Sequence, residues 1–147
     1  MSWTFEVEGQ PLSWNQGYGI GRVPRTGARG RLRLGPDGQV REARTIIKTQ
    51  KAKDYTDLVT IRAKEARKPR DWWDGGLVIV ELYYYLGRDV DCDNVMKFVD
   101  DGIETATGVN DKWFLTRAMW KTTGLKPSER RLVVVVDCAS ASSRPPA

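Results

Sequence analysis

The sequence has no histidine and only two cysteines, Cys92 and Cys138. The first absence removes the usual general base, the usual zinc ligand and the Ser-His-Asp triad together. The second leaves too few thiols for a disulfide framework or a zinc knuckle. No run reaches the roughly 20 apolar residues of a membrane span; the longest candidate is Gly76 to Leu86, and the opening MSWTFEVEG carries no signal-peptide pattern. A soluble, cytoplasmic protein is expected. Any catalysis must run on carboxylates, lysine, hydroxyls or metal-bound water.

What is present is a folding chain of 147 residues, 40% hydrophobic, with six Trp and five Tyr. That is enough apolar and aromatic material for one domain with a real core, expected over 1–138. The end, 139–147 (ASASSRPPA), is small, polar and proline-containing and is expected to be disordered. There is no internal repeat and no second domain. The net charge is +5 and the pI about 9.4, which points to a polyanionic partner. The charge is unevenly spread: Asp89 to Asp111 holds seven carboxylates against one cation, Lys97, a net of −6 that leaves +11 for the rest of the chain. An acidic pocket within basic surroundings suits a metal-dependent enzyme acting on nucleic acid.

Trp3 to Glu8 alternates apolar and polar residues, the pattern of a half-buried strand. A long turn-rich segment follows, punctuated by Gly, Pro and Asn. It holds Arg22, Arg25, Arg29, Arg31 and Arg33, with Trp14 and Tyr18 among or just before them. Arginines reach phosphates and aromatics stack on exposed bases, so this segment reads as a nucleic-acid-contacting loop. Thr49 to Ala66 has helical period, with an apolar face of Ala52, Tyr55, Leu58, Val59, Ile61, Ala63 and Ala66 and with Lys51 and Lys53 as further phosphate contacts. Gly76 to Leu86 reads as a central strand. A second helix capped by Asp93 or Asn94 runs to about Thr107, buries Val95, Met96, Val99 and Ile103, and stops at Gly108. Phe114 to Thr123 and Arg131 to Cys138 complete the strands, the last expected to be buried on both faces. Trp113 and Phe114 read as core residues.

Asp91 and Asp93 are one residue apart at a strand end, so in extended geometry both carboxylates leave the same side and share one metal site. Lys97 lies one helical turn beyond Asp93, and Asp101 another turn on. Asp111 folds back past Gly108 to close the pocket. Asp89 and Asp101 stand behind it, the former next to Arg88, while Asp100 and Glu104 face water. Oxygen ligands alone select Mg2+ or Mn2+, which activates water and neutralises charge growing on a phosphodiester. A calcium loop also matches Asp89, Asp91, Asp93 and Asp100 at its positions one, three, five and twelve, but it lacks the turn glycine, the bidentate Glu and the preceding helix.

At Asp91-Cys92-Asp93-Asn94-Val95-Met96-Lys97, then Asp101, then Gly108-Val109-Asn110-Asp111, the sequence resembles the RusA-type Holliday junction resolvases of phages and prophages. Pro11 to Asn15 is similar to that family's opening loop, and the likeness runs in order along most of the chain. It implies an α+β fold: a single small domain with a mixed β-sheet and two main helices on one face, forming a homodimer. It further implies Asp91, Asp93 and Asp111 as metal-binding catalytic carboxylates and Lys97 as the essential lysine. Trp14, Asn15, Arg22, Arg25, Arg29, Arg31, Arg33, Lys51 and Lys53 would grip branched DNA. The implied activity is Mg2+-dependent endodeoxyribonuclease cleavage of four-way junctions in recombination and repair, with no small-molecule cofactor. The alternatives are a nuclease for forks or flaps and a non-catalytic nucleic-acid-binding protein on the same fold. The chain departs from the family pattern at Asn110-Asp111, where two acids are usual, and in its long arginine-rich segment.

Overall fold

A computed structural model describes residues 2–12, 14–24, 34–39, 42–67 and 72–139. The order is β1 (Trp3–Glu8), α1 (Trp14–Gly17), β2 (Tyr18–Pro24), β3 (Glu42–Lys48), α2 (Gln50–Ala66), β4 (Val78–Tyr85), α3 (Cys92–Thr107), β5 (Phe114–Thr122) and β6 (Arg131–Cys138). Single 3-10 turns at Asp111–Trp113 and Pro127–Glu129 precede the last two strands. The main sheet has the order β1-β6-β4-β5. β4 and β5 run parallel, joined by α3, and β6 is antiparallel to both β1 and β4. The result is an α+β domain with a mixed four-stranded sheet and two main helices.

Both helices lie on the same side of that sheet, because period-2 alternation puts every second strand residue there. Trp3, Phe5 and Val7 of β1, Val80, Leu82 and Tyr84 of β4 and Leu132, Val134 and Val136 of β6 are buried with Val59 of α2 and Phe98, Val99 and Ile103 of α3. At about 1.5–3 kcal/mol for each large apolar side chain removed from water, this layer dominates the stability. The other sheet face is only partly covered: Leu115 and Trp120 of β5 are 52% and 59% exposed. β6 therefore buries one face, and its alternate residues Val133 and Val135 are half-buried. Its apolar run reflects an antiparallel strand in the sheet interior rather than coverage by helices on both sides.

The helix ends follow their capping residues. Thr49 caps α2 by accepting from the Ala52 N–H at 3.2 Å. Asp91, two or three residues before the expected caps, caps α3 through the Asp93 N–H. Gly108 ends α3 at φ 77, with its N–H on the Glu104 carbonyl. The two helices cross closely at Gly102, where a Cβ would fall 2.5 Å from Val59 Cγ1.

Four expectations change. The segment after β1 is not one long loop, because α1 and the β2–β3 ribbon form within it, pairing Tyr18 with Lys48 through Pro24 with Glu42. Phe98 replaces Met96 as the large buried residue of α3, and it stacks on Tyr18 at 5.3 Å. Ile61 of α2 is 51% exposed, on the side of the helix turned from the sheet. Trp113 is not core: it is 36% exposed, tilted against Trp73 at 6.4 Å, while Phe114 packs partly buried on the core. Among the described residues no helix is long and apolar enough to cross a membrane. The expected disordered tail, apart from Ala139, lies outside the described residues.

Candidate active site

The acidic stretch is spread over three structural positions, set by the helix that carries it. Asp91 and Asp93 sit in the cap and first turn of α3, both exposed, with an Asp91 carboxylate oxygen 3.1 Å from the Asp93 N–H. This carboxylate satisfies an N–H that the helix leaves free and sits at the positive end of its dipole. Asp89 lies just before it. Its partner is not the neighbouring Arg88 but Lys121 of β5, 2.8 Å away, which also donates to the Val90 carbonyl. The Lys121 hydrogen bond holds the Asp89 carboxyl below its ordinary range.

One to two turns further, side chains from four elements meet. Lys97 Nζ lies 2.8 Å from Asp101 Oδ1, its i+4 neighbour, and 2.9 Å from Asp111 Oδ2 on the 3-10 turn. These two carboxylates, Asp101 foremost, raise the Lys97 ammonium above its ordinary range. The second oxygen of Asp101 pairs with Lys48 at the end of β3. Burial pushes the Asp101 carboxyl up, but the two ammoniums outweigh it and leave it below the usual range.

Asp100 points the other way along α3, toward β5, and accepts a 2.6 Å hydrogen bond from the Thr116 hydroxyl. Burial pushes its carboxyl up to about 6; Thr116 and Lys97 pull it down, and Asp111 and Asp101 add to the rise. Glu104 accepts from Asn110 Nδ2 at 3.3 Å and from the Asp111 N–H at 3.4 Å, so it positions the turn that presents Asp111. Neither Asp100 nor Glu104 is the solvated surface acid expected, because the return of the chain through Asp111–Trp113 into β5 covers that side of the helix.

The structure thus joins Lys97, Asp101 and Asp111 and adds Asp100, Lys48 and Thr116. It leaves Asp91 and Asp93 at the start of the helix. Among the described residues no three or more His, Cys, Asp or Glu side chains gather so as to hold a metal ion. Asp101 and Asp111 hold an ammonium instead. Lys51 and Lys53 are exposed on the first turn of α2. Trp14 and Asn15 belong to α1 and Arg22 to β2, described by their backbone; Arg25, Arg29, Arg31 and Arg33 lie outside the described residues. The 3.6-residue period would have found Asp100 only together with knowledge that β5 returns parallel beside β4. Lys48 gives no sequence signal, since it reaches Asp101 across 53 positions.

No family model and no curated protein matches the chain. Similar solved structures include 2C-methyl-D-erythritol 2,4-cyclodiphosphate synthase of Plasmodium vivax, at 10% identity and TM-score 0.30, covering 92% of this chain and 95% of that one. Another is IspF of Plasmodium falciparum as its CDP complex, again at 10% identity and TM-score 0.30, covering 92% of each chain. The first is named as a synthase, and neither is named as a nuclease. The expectation of a Holliday-junction endodeoxyribonuclease, with its alternatives of fork or flap cleavage and of a non-catalytic nucleic-acid-binding protein, is corrected on that finding. A likeness at TM-score 0.30 gives this chain neither the reaction nor the ligand of those proteins.

Proposed function

We propose that Asp100, Lys97, Asp101 and Asp111 form an acid–base site acting on an anionic small molecule. The observation that supports it is the Asp100 carboxyl, brought to about 6 beside a paired lysine. A carboxyl that titrates near neutral pH exists in useful amounts as both acid and base, which one at the ordinary value does not. Lys97, whose side chain is 55% exposed, keeps its charge and can exchange an aspartate partner for an incoming anion. Asp101 stays ionised between Lys97 and Lys48 and fixes the position of the first. Thr116 orients the Asp100 carboxyl.

Mg2+ is the cation an all-carboxylate set would select, with Asp91, Asp93 and Asp111 as its ligands, and it would supply Lewis acidity to a phosphate. Those three carboxylates are not gathered to hold it, so no step of the reading runs through the ion. The test is to incubate the protein with a panel of phosphate and diphosphate esters, with Mg2+ and with chelator, and to follow products by 31P NMR. The reading requires turnover with a pH limb near 6 that Asp100→Asn removes. Absence of turnover across the panel, or turnover untouched by Asp100→Asn, would sink it.

A further inference from the structure

The richest unassigned feature is an open pocket of about 430 Å3 lined by Gln10, Leu12, Gln16, Gly87, Arg88 and Arg130. Among the described residues its lining includes two arginines and no acid. Of the adjacent acids, Asp89 is paired with Lys121, and Glu129 accepts from the Lys126 N–H at 3.1 Å. Among the described residues neither arginine has a carboxylate partner.

The pocket is also rigidly made. Gln10 holds the Gly87–Arg88 backbone from both sides of its amide, accepting from the Gly87 N–H at 2.8 Å and donating to the Arg88 carbonyl at 3.0 Å. The Gly124 N–H donates to the Gly87 carbonyl at 3.0 Å. Arg130 donates from Nε to the Leu125 carbonyl at 3.1 Å, and its guanidinium lies next to Gly87. A Cβ at Gly87 would fall 2.1 Å from Arg130 Nε and 2.2 Å from its Cζ, so a larger residue there would displace the guanidinium. The terminal nitrogens of Arg130 remain free to donate, and the backbone beneath Arg88 is fixed.

We propose that this pocket is an anion site that takes a phosphate group. Two guanidinium forks offer paired donors to a dianion with several acceptor oxygens, more than one planar carboxylate can use. The volume exceeds that of a phosphate alone and leaves room, beside Leu12, for the organic body of a phosphomonoester. The inference does not rest on the acid–base reading, whose residues are different.

The experiment is an NMR titration of the arginine Nε–H signals of the full chain with inorganic phosphate, glycerol phosphate and acetate. Saturable shifts of both Arg88 and Arg130 with the two phosphates are expected, with acetate at least about tenfold weaker. Arg88→Gln, an exposed change that leaves the fold intact by circular dichroism, should weaken phosphate binding about tenfold or more. Gly87→Ala should do the same by displacing Arg130. Glycerol phosphate binding tighter than phosphate supports a phosphomonoester, and equal binding supports free phosphate. Acetate binding as tightly, binding unchanged in Arg88→Gln, or binding of a long oligonucleotide without any binding of the small phosphates would overturn the proposal.

Discussion

The two charged regions, one carried by α3 and one at Gly87–Arg88 before it, are built on opposite principles. Around Lys97, each ammonium has a carboxylate: Lys97 bridges Asp101 and Asp111, and Lys48 completes Asp101. Around Gly87, Arg88 and Arg130 share a pocket without a carboxylate. A matched cluster can act only by moving a proton or by trading a partner, so its signature is a displaced titration. An unmatched pair can act by binding, so its signature is affinity for an anion. The comparison predicts that pH governs the first region and ionic composition the second.

The Lys97 region depends on α3 being held in place, and the largest expected effect breaks that support. Phe98 is fully buried and stacks on Tyr18. Phe98→Ala should cost about 3–5 kcal/mol in urea unfolding and loosen β2 and β3, and with them Lys48, from Asp101. If the variant were as stable as the parent, the ribbon would not be held by this contact. Gly102→Val should follow closely, at about 1–3 kcal/mol for overpacking against Val59.

The next effect concerns pH. The Asp100 carboxyl, raised to about 6 in the folded chain from an ordinary 3.8, contributes stability below pH 4 that is lost as pH rises through 6. At about 1.4 kcal/mol per pKa unit, the loss is at most about 3 kcal/mol. Asp101 works in the opposite sense, its paired form being present above its unfolded value and lost on acidification. Asp100→Asn should therefore gain on the parent between pH 4 and 7, measured by urea midpoints across that range. Equal pH dependence of the two proteins would remove Asp100 from the account.

Smaller effects tell the two regions apart. Lys97 pulls the Asp100 carboxyl down, so Lys97→Met should move the Asp100 titration upward, whereas Arg88→Gln should leave it unmoved. Glu104→Gln keeps an acceptor for the Asp111 N–H but removes a charge, and a change of about 0.5 kcal/mol or less is expected in thermal unfolding.

Much of the fold was legible because the sheet and helices announce themselves by period. Trp3 to Glu8 alternates, Val78–Tyr85 is β-branched and aromatic, and Thr49 and Gly108 mark helix ends that the structure keeps. The β2–β3 ribbon was not legible, because its glycines and proline read as turns and its pairing is between segments of low apolar content. The candidate site was half legible. Lys97 with Asp101 follows from helical spacing, and Asp111 from the glycine stop. Asp91 and Asp93 have the spacing of paired ligands, but helix capping claims Asp91 and turns the pair into a helix start. Asp100 was misread because one helix period cannot tell water from a strand that arrives later; Thr116 is that strand's contribution.

The most direct measurement is a 13C NMR titration of the Asp100 side-chain carboxyl in the intact chain. A midpoint near 6, moved upward by Thr116→Val through loss of its hydrogen bond, is the result expected. A midpoint in the ordinary aspartate range, indifferent to Thr116, would contradict the assignment of Asp100 as the proton-carrying group of the site.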